Sequence, residues 1–372
     1  MATLLELLET TIAHGGSDLH LTVKSPPKMR VNGSLQSAAP DLLTDAETKT
    51  LAYSVLTDAQ KKRLEQDLEL DFAFGVRGLG RFRCNVFHQR GAIAAAYRIV
   101  PSEIRPFSEL GLPTVIQRFA NLPRGLVLVT GPTGSGKSTT LATLIDKINM
   151  ERQGHILTIE DPIEFIHEHK GCVVNQRELH SDTHGFAPAL RAAMREDPDV
   201  VLIGELRDLE TTESALRIAE TGHLTFATLH TNSASQTINR VLDMFPAHQL
   251  DHIRVQLSLV LEGVVCQTLL PEANGRGRVL GCEVLVPTSG IRNLIREHKV
   301  HQIYSAMQAG QEKIGTQTLN QSLASLCLAR RISRETALSV AKPKEELLEM
   351  LERGVGLSAA GRPAPRLRAL GR

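Results

Sequence analysis

The chain has 372 residues, enough for two or three domains with cores of their own, and its charge is nearly balanced, with 42 lysines plus arginines against 41 aspartates plus glutamates. Balanced charge with only 3% aromatic residues argues against a nucleic-acid machine, which would carry a basic surplus and stacking rings. Cys84, Cys172, Cys266, Cys282 and Cys327 form no C-x-x-C pair, so neither a disulfide framework nor a zinc knuckle is indicated and a reducing cytoplasm fits; no apolar run approaches about 18 residues, and Met1-Ala2-Thr3-Leu4-Leu5-Glu6 lacks the basic opening of a secretory signal.

Leu4, Leu5, Leu7, Leu8 and Ile12 predict a short amphipathic helix over 4–13, followed by Gly15-Gly16 and a strand over 18–23. Residues 42–70 read as helical. Asp71 to Phe74 and Gly80 to Phe87 alternate as antiparallel strands do, and Arg90-Gly91 turns the chain into a further strand over 92–99. A small α+β domain over 1–113 follows from this, with a proline-punctuated linker over 114–124. From Gly125 apolar strands alternate with helices, the pattern of a doubly wound α/β core, which is expected over 125–353 together with a C-terminal helical region. Residues 354–372, rich in Gly, Ala, Pro and Arg (Arg362, Arg366, Arg368, Arg372), read as a disordered basic tail.

The strongest single feature is Gly131-Pro132-Thr133-Gly134-Ser135-Gly136-Lys137-Ser138, a complete G-x-x-x-x-G-K-S phosphate loop. The apolar run Leu126 to Val129 precedes it and an apolar helical pattern from Thr139 to Ile145 follows, so the loop stands in strand–loop–helix context. Glycines there let backbone N–H groups turn toward phosphate oxygens, Lys137 reaches the outer phosphates, and Ser138 can offer its hydroxyl to Mg2+. The chain is expected to bind ATP.

Three later strands end in candidate catalytic groups. Ile156 to Ile159 empties into Glu160, Asp161 and Glu164, and carboxylates at a strand's C-terminal edge face the ligand crevice, where one can orient an attacking water. Asp199 to Ile203 runs into Gly204-Glu205, a Walker B arrangement with Gly204 where an aspartate is commoner, so Glu205 carries the Mg2+ role alone. Leu224 to Leu229 leads to His230, whose imidazole can donate to a γ-phosphate, while His223 precedes that strand. His155, His167, His169, His180 and His184 do not suggest a metal, because His167-Glu168-His169 lacks the i, i+4 spacing of a helical zinc pair.

Taken in order, the Walker A loop, acidic box, Walker B strand and histidine box resemble the secretion ATPase superfamily of ring motors, and within it the pilus-retraction branch. Ser17-Asp18-Leu19-His20-Leu21, Arg195-Glu196-Asp197-Pro198-Asp199 and Gly290-Ile291-Arg292-Asn293-Leu294-Ile295-Arg296-Glu297 extend the resemblance to about residue 354; the last is the AIRNLIRE box of retraction motors with Gly290 for its first alanine. The resemblance implies a RecA-like P-loop core, a PAS-like N-terminal domain, a homo-hexamer with ATP at each subunit boundary, and an inner-membrane platform protein and a paralogous retraction ATPase as partners. It further implies a cytoplasmic protein peripheral at the inner-membrane base of the pilus machine, no nucleic-acid partner, and hydrolysis converted to rotation of one domain against the other. Arg81 and Arg83 share one face of their strand while Phe82, Cys84 and Val86 take the other, which suits arginines acting in trans on a neighbour's nucleotide, with Arg98 joining them from the next strand. Glu164 is expected to polarise the water, with Glu160 in reserve. An accessory retraction motor, an extension or type II secretion motor and a non-hydrolysing assembly module stay open as alternatives; the second usually adds a longer N-terminal region and a four-cysteine zinc element.

Overall fold

Thr3 starts the first helix: its hydroxyl accepts the Glu6 N–H while the Glu6 carboxylate accepts the Thr3 N–H, and this capping box opens α1 (Leu4–Ala13). The protein is described by a computed structural model over residues 2–31, 33–100, 103–309 and 314–354, so the tail expected beyond 353 lies, except for Gly354, outside the described residues. The chain divides into two units, Met1–Glu103 and Ile104–Arg372.

In the first unit, β1 (Asp18–Leu21), β2 (Lys28–Val31) and β3 (Ser34–Ser37) precede α2 (Asp45–Tyr53) and α3 (Asp58–Asp67). The continuous helix expected over 42–70 is thus two helices. Two further capping boxes, Thr44 with Glu47 and Thr57 with Gln60, each begin a new helix, and the second forces a break after Tyr53. β4 (Glu69–Val76), β5 (Gly80–Gln89) and β6 (Ala92–Val100) complete an antiparallel sheet of order β3-β2-β1-β6-β5-β4. Leu19, Leu21, Phe82, Val86 and Tyr97 from one sheet face pack with Leu7 and Leu8 of α1 and Leu64 of α3 into this unit's core.

The second unit begins earlier than the prolines suggest. α4 (Phe107–Leu110) lies in the stretch read as the end of the first domain and α5 (Thr114–Phe119) in the stretch read as a linker, and Val115, Ile116 and Phe119 are buried in the second unit's core, so their apolar side chains fix residues 114–119 to it. The main sheet follows through β7 (Gly125–Thr130), α6 (Lys137–Glu151), β8 (His155–Glu160), β9 (Val173–Glu178), α7 (Phe186–Ala193), β10 (Val200–Ile203), α8 (Leu209–Glu220), β11 (Leu224–Leu229), α9 (Ala234–Leu242), α10 (Leu250–Val260), β12 (Leu261–Pro271) and β13 (Arg278–Leu285). Its order is β13-β12-β7-β11-β10-β8-β9, parallel except for the β12–β13 hairpin. Both faces are covered: Leu126 and Leu128 of β7 enter one core, Val127 and Val129 the other, which explains why these strands read as unbroken apolar runs. This is a RecA-like core.

α11 (Ser289–Arg296), α12 (Ile303–Ala309), α13 (Leu319–Leu328), α14 (Arg334–Val340) and α15 (Lys344–Glu352) form the C-terminal helical region. α11, which carries the Gly290 to Glu297 box, buries Ile291 and Ile295. Its Arg292 donates to the carbonyls of Ser258 and Leu259 at 2.7 and 3.0 Å and pairs with Glu262 at 2.8 Å, capping the C-terminal end of α10. Among the described residues no helix is long and apolar enough to cross a membrane.

Candidate active site

Parallel register aligns the ends of the four strands that matter. Thr130 of β7 lies beside Leu229 of β11, Ala227 of β11 beside Ile203 of β10, and Ile203 beside Ile159 of β8. The phosphate loop, His230, Glu205 and Glu160 therefore leave the sheet at one edge, the carboxyl edge where α/β sheets bind ligands.

The loop is shaped by glycines in conformations other residues resist, with φ of 138° at Gly131, 78° at Gly134 and 91° at Gly136. At Gly131 the constraint is also spatial, because a Cβ would overlap the Gln267 carbonyl oxygen and lie 2.6 Å from Ser135 Oγ. Gly136 begins α6 without a side-chain cap, leaving the first amides of a 15-residue helix for an anion. Lys137 Nζ donates to the Gly131 and Pro132 carbonyls at 2.8 and 3.2 Å, so its ammonium lies across the loop. Burial draws its pKa below the ordinary lysine value, against the opposing fields of Glu205 and Glu164. Pro132, Thr133 and Gly134 are exposed, Ser135 is buried, and Ser138 and Thr139 are half-buried on the first turn of α6. Thr140 behind them accepts from Gln267 Nε2 at 2.8 Å, which ties α6 to β12.

Glu160 and Glu164 are held differently. Glu160 accepts from the Thr158 hydroxyl at 2.7 Å, from Gln176 Nε2 at 3.3 Å and from the Glu164 N–H at 3.4 Å. Burial still outweighs these donors and pushes its carboxyl up to about 7. Glu164 is exposed and within electrostatic reach of Lys137. Glu205 accepts from Arg207 Nε at 2.9 Å and lies 3.4 Å from His230 Nε2, while Arg207 also reaches Asp161 at 3.4 Å. Gly204 has a local reason: a Cβ there would lie 3.2 Å from Glu160 Cα and 3.3 Å from the Ile159 carbonyl oxygen, so a side chain would need the neighbouring strand end to give by a few tenths of an ångström. His223 has its Nδ1 3.0 Å from the Ile218 carbonyl, at the end of α8. A cleft of about 430 Å³ adjoins these acids, lined by Asp161, His180, Phe186, Pro188, Arg207 and Thr211.

Arg207 and Gln267 are the site residues that motif reading missed. Arg207 stands two positions after Glu205, a visible signal, but its reach to Asp161 is not encoded locally. Gln267 touches a helix 127 positions away, and no local pattern announces that.

The arginines belong to the first unit. Arg81 and Arg83 share the face opposite buried Phe82, Cys84 and Val86, and Arg83 is exposed. Register puts Arg30, Asp18, Arg98 and Arg83 in one row across β2, β1, β6 and β5. Asp18 is buried and accepts from Arg98 Nε at 2.8 Å. Burial would raise the Asp18 carboxyl, but hydrogen bonds from Ser17 and Arg98 outweigh it and hold the group below the ordinary aspartate value. Arg98 is therefore an ion-paired residue.

The sequence pattern of the family described as Type II/IV secretion system protein matches residues 2–334. The chain belongs to this family. The Type IV pilus retractation ATPase PilT of Pseudomonas aeruginosa is 51% identical over 340 residues, 91% of this chain and 98% of that protein. The Type IV pilus ATPase PilU of the same organism is 40% identical over 349 residues, 94% of this chain and 91% of that one. A crystal structure of the pilus retraction motor PilT with bound ADP superposes with a TM-score of 0.89 at 50% identity, covering 94% of this chain and all of that one. Within the Type II/IV secretion system family, then, this chain keeps a RecA-like core behind a smaller α+β unit.

Proposed function

We propose that the chain is an ATP-hydrolysing motor that powers retraction of type IV pili and so twitching motility. The observation that carries the chemistry is the convergence of Lys137, Glu164, Glu205 and His230 at one sheet edge around an uncapped helix N-terminus. The retraction role rests on the relatives, with 51% identity to PilT against 40% to the Type IV pilus ATPase PilU favouring the first.

Residues 131–139 take the ATP phosphates, the uncapped amides at the start of α6 donating to them and Lys137 Nζ exchanging the Gly131 and Pro132 carbonyls for phosphate oxygens. Ser138 and Glu205, a hydroxyl and a carboxylate, are the hard oxygen donors Mg2+ prefers; when bound, the ion neutralises charge on the phosphates. Glu164, which is exposed, polarises the attacking water, while Glu160 is the reserve for that role. His230 donates to the γ-phosphate and is oriented by Glu205. Arg83 and Arg81 act on the nucleotide of a neighbouring copy in a homo-hexamer, while Arg98, expected to join them, is held by Asp18; an arginine in that role is worth about 10³ to 10⁵ in rate. The partners are a platform protein of the inner membrane and a paralogous retraction ATPase, without nucleic acid, and the motor sits in the cytoplasm at the base of the pilus machine.

Steady-state phosphate release from purified protein with Mg2+ and ATP tests the enzymatic reading. Turnover that Lys137→Ala abolishes supports it; nucleotide binding without release in the wild type would make the chain a switched assembly module.

A further inference from the structure

Glu283 lies on β13, 3% exposed, two strands from the phosphate loop. Oε1 accepts the N–H of Ala234, the first residue of α9, at 2.7 Å. The backbone of Leu319, the first residue of α13, also bears on the carboxyl electrostatically. Ser233 and Thr318 cap these helices through other amides, so Glu283 supplies an acceptor for the first amide of α9. Burial pushes this carboxyl above the ordinary glutamate value, against the hydrogen bond from Ala234.

Only Thr231, Asn232 and Ser233 separate Ala234 from His230. Their contacts run to α9: the Thr231 and Thr237 hydroxyls lie 2.7 Å apart, and the Asn232 N–H donates to Gln236 at 3.3 Å. His230 is thus suspended between the end of β11 and the first turn of α9, 3.4 Å from Glu205. A shift of that turn is passed directly to the imidazole.

We propose that Glu283 is a positioning residue of the hydrolytic site, holding His230 toward Glu205 by fixing the first turn of α9 against β13. The inference rests on the ATPase reading above. A displaced catalytic group costs rate more than affinity, because the phosphate contacts of Lys137 and α6 are untouched.

Glu283→Leu removes the acceptor and keeps most of the volume. Ala234→Pro removes only the donor, since proline is tolerated at a first helical position and extended Ser233 accommodates it. Each variant is expected to lower kcat about tenfold or more with KM for ATP within about twofold, and neither should lower kcat further in a His230→Ala background. Losses that multiply with that of His230→Ala, or a rise in KM at unchanged kcat in whichever variant folds, would overturn the proposal. Wild-type protein assayed in parallel separates the two levels: absence of any turnover refutes the ATPase reading and this inference with it.

Discussion

Glu160 offers a sharp test of the site's electrostatics. Its carboxyl is raised from 4.5 to about 7, burial outweighing the donors Thr158, Gln176 and the Glu164 amide, so the folded state holds a proton there that the unfolded chain releases. The corresponding stabilisation is complete below about pH 4.5 and is lost as pH rises through about 7. At 1.36 kcal/mol per pH unit the loss between pH 5 and pH 8 is roughly 2.5 kcal/mol, an upper figure because part of the side chain meets solvent. Glu160→Gln removes the titration while leaving an oxygen for Thr158. Its melting temperature relative to wild type should therefore climb between pH 5 and pH 8, by roughly 5 °C, at about 2 °C per kcal/mol for a unit of this size. Other groups titrate alike in both proteins and cancel in the difference. Calorimetry at four pH values across this window is sufficient; parallel curves for the two proteins would refute the reasoning.

Glu164→Gln should lower kcat by about 10² to 10⁴ with ADP affinity retained, as phosphate release and nucleotide titration would report; a larger loss in Glu160→Gln would reverse the two roles. Arg83→Ala should cut turnover by about 10³ at unchanged melting temperature. Arg98→Ala, by contrast, strands buried Asp18 and should cost about 1 to 3 kcal/mol of stability, measurable by denaturant unfolding. Leu144→Ala empties a fully buried position on α6 and should cost about 2 to 5 kcal/mol, with less than 1 kcal/mol counting against the packing described.

The phosphate loop was legible because its chemistry is local: the glycines, Lys137 and Ser138 are contiguous, and the flanking strand and helix are strongly periodic. The doubly wound core was legible for the same reason, since β7, β8, β10 and β11 are buried on both faces and carry unbroken apolar runs. What escaped reading is short or non-local. β2 and β3 have four residues each and β3 is wholly exposed, so neither carries an apolar pattern. The break between α2 and α3 is written in Thr57 and Gln60, a cap hidden inside an otherwise helical composition. The prolines before residue 124 suggested a linker, yet Ile116 and Phe119 bury α5 in the core. Long-range polar partners such as Arg98 with Asp18, or Gln267 with Thr140, leave no trace in spacing, and they decide which of the candidate residues are engaged and which are free to act.

The most direct test of the motor reading is a count of surface pili and an assay of surface motility in cells carrying Lys137→Ala in place of the wild-type chain. Normal or excess pili on non-motile cells is the predicted result, because pili would assemble and fail to retract; bald cells would show that the chain drives assembly and would contradict the account.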